Sequence, residues 1–135
     1  MFESQLSNAF NKPLVEDQLL ADSYQLLDEE QFADMRELLE EDFADLLRTY
    51  FIDSLQRIKL MHLAQASNDN ADGFEAAHAL KGASATLGAK RLELLCGQLQ
   101  QLCREQKLGE QAALIEQISV ALRDTEQEIN HRLGL

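Results

Sequence analysis

Between Phe32 and Ile129 the apolar residues return every three or four positions, and no proline breaks the run. A half-buried strand needs strict alternation, whereas this spacing lines up one face of an α-helix. The single proline, Pro13, lies before the pattern begins. A proline inside it would remove a backbone donor and clash with the preceding turn. Leu, Ala, Glu and Gln abound while β-branched residues are scarce, which favours helix over sheet.

The breaks in the pattern divide it into helices. Phe32, Met35, Leu38 and Leu39 mark a short one, with Asp28 as its N-cap and Gln31 as the capping-box partner. A long helix over about 41–67 carries Phe43, Leu46, Leu47, Tyr50, Phe51, Leu55, Ile58 and Met61, and stops at the turn cluster Ser67-Asn68-Asp69-Asn70. The next, about 71–87, ends at Gly88, placed to take the left-handed conformation after a helix. A third, about 89–106, turns Leu92, Leu95, Cys96, Leu99, Leu102 and Cys103 inward. After Gly109 the last, about 110–132, carries Ile115, Ile118, Leu122 and Ile129. Short connections make neighbouring helices antiparallel. The expected fold is all-α: an up-down four-helix bundle with one or two additional N-terminal helices. Residues 14–27 read equally as a short helix or an extended arm. The division is an N-terminal extension over 1–27 and one bundle domain over 28–135.

Composition narrows the partners. The 135 residues suffice for one core, and with 45% hydrophobic but only 6% aromatic residues that core is aliphatic. A net charge of −12 repels duplex nucleic acid and anionic membranes. No stretch approaches the ~20 apolar residues of a membrane span, and the start MFESQLSNAF lacks the basic and apolar regions of a signal peptide. Cys96 and Cys103 lie seven apart on one expected helix, about 10 Å along its axis, too far to bridge. They read as buried thiols, and no further Cys or His stands at zinc-ligand spacing. A soluble protein of the reducing cytoplasm fits these features. The charge is uneven, however. Residues 78–107 hold Lys81, Lys90, Arg91, Arg104 and Lys107 against only Glu93 and Glu105. The acidic run over 28–45 reads as a solvated face.

That basic stretch begins with His78-Ala79-Leu80-Lys81-Gly82-Ala83-Ser84-Ala85-Thr86-Leu87-Gly88. On a helical wheel Ala76, Leu80, Ala83 and Leu87 face the core, while His78, Lys81, Gly82 and Ala85 point away. A glycine inside a helix costs roughly 1 kcal/mol relative to alanine, so the bare space at Gly82 suits a second protein approaching the ring. An isolated surface histidine usually has no duty. Here its neighbours on that face are small or basic, so the ring stands clear. A neutral imidazole is a competent nucleophile near neutral pH. Attack on phosphorus would give a phosphoramidate, with Lys81 as a point charge beside the phosphoryl oxygens. No acid–base partner, metal cluster or glycine-rich phosphate loop accompanies it. The phosphoryl group would therefore arrive already activated on one protein and leave to another. His62 reads as a helix-packing histidine and His131 as inert.

The segment resembles the histidine-containing phosphotransfer (HPt) domain of multistep phosphorelays. That family's pattern is a histidine, then Lys or Arg at i+3, Gly at i+4, a small residue at i+6 and Gly at i+10. His78, Lys81, Gly82, Ser84 and Gly88 meet it in register, and Gln100 stands where members often carry a glutamine, 22 residues after the histidine. The resemblance covers roughly residues 28–130. It implies that His78 carries the phosphoryl group on Nε2, with Lys81 near its oxygens and Gln100 hydrogen-bonding near the imidazole. Gly82, with Ala85 and Ser84, would meet the docking partner. The partners implied are receiver domains of a hybrid sensor kinase and a response regulator. The Mg²⁺ belongs to the receiver, and this chain would hold no metal or cofactor. It would be a monomeric phosphoryl carrier without kinase activity or an ATP site of its own. A different class also fits: a non-catalytic helical adaptor that binds receivers or other signalling partners. A sensor-kinase dimerisation domain fits less well, because the acidic residue and proline usual after that family's histidine are missing.

Overall fold

The structure, a computed structural model, describes residues 25–134. Helix α1 spans Glu29–Leu39, α2 Phe43–Ala66, α3 Asn70–Leu87, α4 Lys90–Arg104 and α5 Ala112–Leu133. Single 3₁₀ turns at Glu40–Asp42 and Leu108–Glu110 complete the described elements. Each of α2 to α5 packs on the next, and α5 packs back on α2, while the diagonal pairs are not neighbours. That closed ring is the four-helix bundle the sequence predicts, with α1 as one additional N-terminal helix. The alternatives for residues 14–27 lie almost wholly outside the described residues. No helix of the described residues is long and apolar enough to cross a membrane.

The aliphatic stripes meet in one core. Leu80, Leu92, Leu95, Leu99, Ile115, Ile118 and Ile129 are fully buried in it. Both cysteines are buried and free. Burial pushes the Cys96 thiol up to about 12 and raises Cys103 as well, which leaves both as unreactive thiols.

Four expected core positions do not hold. Leu38 is 75% exposed, because six residues beyond Phe32 it has rotated off the stripe through which α1 touches the bundle. Leu55 is 62% exposed, and Ser54 takes the inward place one turn beyond Tyr50 and one turn before Ile58. Ala83 is exposed and Ser84 buried instead, since the buried face of α3 runs through Ala77, Leu80 and Ser84. His62 is exposed rather than packed.

The junction of α1 with α3 shows why the chain turns at Gly88. This residue has φ 91° and ends α3 in the left-handed region. A Cβ there would lie 2.9 Å from the Phe32 nitrogen. The last carbonyls of a helix lack partners inside it. Here the Asp28 N–H donates to the Gly88 carbonyl at 2.7 Å, and the Gln31 side-chain amide donates to the Thr86 carbonyl at 2.7 Å. Asp28 does cap α1, accepting the Gln31 N–H at 3.1 Å. The expected reciprocal half of the capping box is absent, because α3's open end claims both donors. At its far side α1 is held by Arg132 of α5, which is bidentate on Glu29 and also binds Glu128 at 2.7 Å.

Candidate functional site

The buried stripe of α3 leaves His78 on the opposite wall, exposed and midway along the helix. Among the described residues its ring nitrogens form no hydrogen bond, and its one ring contact is with Phe74, a turn earlier. Those two rings are nearly parallel, at 6°, with centroids 5.9 Å apart. Arg104 of α4 places its guanidinium carbon 5.2 Å from the Phe74 centroid.

Lys81 leans across the same seam. Its Cε lies 3.7 Å from where a Gly97 Cβ would stand, so the lysine stem rests against α4 at its barest point. Lys81 forms no ion pair among the described residues. Of the other cations of the basic stretch, Arg91 reaches Asp124 at 4.0 Å and Lys107 reaches Glu105 at 3.6 Å. Lys81 and Arg104, neither of them in an ion pair among the described residues, leave positive charge beside the histidine.

Phe74 with Arg104, and Lys81 with Gly97, fix an antiparallel register between α3 and α4. In that register Gln100 falls opposite His78. Gln100 is only 7% exposed, and its Oε1 accepts no hydrogen bond from the described residues. A buried acceptor left without a donor costs about 1–3 kcal/mol, so its presence beside the seam calls for a reason.

Gly82, one turn after His78, has no atom of the described residues beyond its neighbours and its own helix backbone within 4 Å of where its Cβ would be. Its missing side chain makes room for nothing among the described residues. Ala85 is half-buried on the same face. Ser84 does not lie there: it is 0% exposed, and its Oγ shares a 2.8 Å hydrogen bond with Tyr50 Oη of α2. A direct docking contact by Ser84 is therefore corrected. Its small size serves the packing of α3 on α2, because a larger residue would push the helices apart. On the far side of α3 from Lys81, a groove of about 280 Å³ runs between α2 and α3, with Leu46, Tyr50, Leu80 and Ala83 in its walls and Asp53 and Arg57 among its lining residues.

The motif does not point to Phe74, Arg104, Gly97 or Tyr50. Phe74 was within reach, since residues four apart share a helix face. Arg104 and Gly97 come from another helix, and only the register brings them in. Tyr50 read as one more apolar residue of its stripe.

Fold and site define a class: helical bundles that hold a single imidazole uncovered on an outer wall, beside free positive charge. The chain belongs to the Hpt domain family, whose model matches residues 45–131. It is similar to the solved histidine-containing phosphotransfer protein B from Pseudomonas aeruginosa PAO1, with 29% identity, a TM-score of 0.76, and 82% of this chain and 96% of that one covered. A histidine-containing phosphotransfer protein from maize, ZmHP2, shares the fold at 22% identity, with a TM-score of 0.72 and coverage of 90% and 98%. A putative one from rice does so at 20% identity, with a TM-score of 0.73 and coverage of 93% and 96%. No curated protein sequence matches the chain. Family membership and these neighbours support a role as a phosphotransfer intermediate. Helix α1 lies outside the family match.

Proposed function

We propose that the protein is a phosphorelay intermediate that accepts a phosphoryl group on His78 from a receiver-domain aspartate and passes it to another receiver domain. The observation that carries this reading is the bare side of the ring: His78 is exposed and unbonded, and Gly82 leaves open the space beside it. In the forward step a ring nitrogen attacks the phosphorus of the aspartyl phosphate. The N–P bond forms, the acyl O–P bond breaks, and the aspartate leaves as carboxylate with that electron pair. Transfer onward reverses these changes at the second receiver.

Lys81 offsets charge on the phosphoryl oxygens, acting as a point charge on a flexible stem. Gln100 Oε1, without a donor among the described residues and opposite His78 in the helix register, would accept the other ring N–H once the ring turns toward it, which would fix the tautomer and free the attacking nitrogen. Gly82 and Ala85 meet the partner. The receiver's acidic pocket is complementary to the unpaired positive charge, which speeds encounter. The reading takes residues 28–135 as the carrier unit and residues 1–27 as an extension, in a soluble cytoplasmic monomer that relies on the receiver's own Mg²⁺.

Incubation with a phosphorylated receiver tests it. The chain takes up acid-labile, base-stable phosphate, and His78→Gln abolishes the label. Labelling that persists in His78→Gln removes His78 as the site. The groove between α2 and α3 also suits a purely non-covalent adaptor. That second reading requires His78→Gln to keep full signalling output while bulky residues at Gly82 abolish binding.

A further inference from the structure

The Phe74–His78 pair has no place in the motif, yet it is the one aromatic pairing of the His78 ring among the described residues. A histidine on an open helix wall samples several staggered rotamers, and most of them aim its nitrogens away from any single line of approach. Helical side chains lean toward the N-terminus, over the turn before them. The turn before His78 presents Phe74, and the turn after it presents Gly82. The ring therefore has an aromatic surface on one side and open space on the other.

Phe74 is itself held. It is half-buried and packs against the core, and the Arg104 guanidinium lies over its ring at 5.2 Å. A cation within about 6 Å of an aromatic centroid is attracted to the ring face. Arg104 forms no ion pair among the described residues, so no carboxylate competes for it. Three side chains from two helices thus line up in order: Arg104, Phe74, His78.

We infer that Phe74 is a positioning residue for phosphoryl transfer: it holds the imidazole parallel to its own ring, so that the phosphoryl group arrives over Gly82, and Arg104 keeps Phe74 in place. This rests on the reading of His78 as the phosphoryl acceptor. It adds the residue that limits the ring's freedom and the side from which the donor comes. Phe74 touches neither donor nor phosphorus and acts only through His78.

The experiment compares wild type, Phe74→Leu, Phe74→Tyr and Arg104→Gln. The first readout is the NMR chemical shift of the His78 ring protons, which a parallel aromatic ring displaces and a leucine does not. The second is the rate of His78 phosphorylation by phosphoramidate, a small donor that needs no docking. In that reaction the ring N–P bond forms as the donor's P–N bond breaks, and ammonia leaves with the electron pair.

Phe74→Leu is expected to lose the ring-induced shift and to slow phosphorylation by about two- to tenfold, the factor an offset aromatic pair supplies. Phe74→Tyr retains both, and Arg104→Gln falls between. With a phosphorylated receiver as donor, Phe74→Leu lowers kcat while KM stays within about twofold, since docking is untouched. Unaltered shifts or rates in Phe74→Leu overturn the inference. So does a Phe74→Tyr protein as slow as Phe74→Leu, which would mean that an aromatic ring at this place does not position the imidazole. Thermal melts identify any variant that fails to fold; if Phe74→Leu does, Arg104→Gln carries the comparison, and shifts and rates equal to wild type in it overturn the inference. A wild type labelled by phosphoramidate but by no phosphorylated receiver ends the relay reading, while the Phe74 comparison still stands.

Discussion

Tyr50 Oη and Ser84 Oγ meet in a 2.8 Å hydrogen bond that ties α2 to α3 on the inner side of the helix bearing His78. Both residues are buried, so neither hydroxyl has water as a substitute. Removing one partner leaves the other unsatisfied, at a cost of about 1–3 kcal/mol. Tyr50→Phe and Ser84→Ala should each destabilise the protein by about that amount in urea unfolding. The double variant should lose less than the sum of the two. Additive losses would show that the hydroxyls are not coupled.

Alkaline pH probes the same region. Burial raises the Cys96 thiol from 9.0 to about 12, and burial also drives Tyr50 upward from 10.0, beyond any offset from its hydrogen bond to Ser84. Both groups are neutral when protonated, and folding favours that form. Their contribution is fully present below their unfolded values and is lost as pH rises through the folded ones. The urea midpoint should hold steady up to about pH 9 and fall beyond it. In Cys96→Ala the decline from about pH 9 should be shallower, since only the raised Cys103 thiol still acts there, and it should steepen nearer pH 10 as Tyr50 joins.

Gly82 separates stability from function. Its Cβ position is empty, and alanine is the better helix former by roughly 1 kcal/mol. Gly82→Ala should therefore raise the melting temperature of the free protein. Larger side chains at the same place should weaken receiver binding, read by calorimetric titration, with the fold intact by circular dichroism. A receiver that binds Gly82→Phe as tightly as wild type would remove Gly82 from the docking face.

Gly88 behaves in the opposite way. Its φ of 91° disfavours any side chain, and a Cβ would press on the α1 backbone at Phe32. Gly88→Ala should cost about 1–2 kcal/mol for the backbone alone. It should also speed hydrogen exchange across Glu29–Leu39, because the same turn anchors that helix. Exchange confined to its old rate would show that α1 is held by Arg132 rather than by Gly88.

Legible in the chain order were the four long helices, the stops at Ser67 and Gly88, the Asp28 cap and the outward placing of His78, Lys81 and Gly82. These are local properties: a 3.6-residue repeat, a missing Cβ or a cap acts within one or two turns, so the chain order alone carries them. Packing between helices set the rest: Ser84 turns inward to Tyr50, Ser54 replaces Leu55 in the core, and Gln31 serves the end of α3. It alone set Phe74 between His78 and Arg104. Such choices depend on which residues of two helices lie side by side, and that register is fixed by the packing of the whole bundle, which no single stripe encodes.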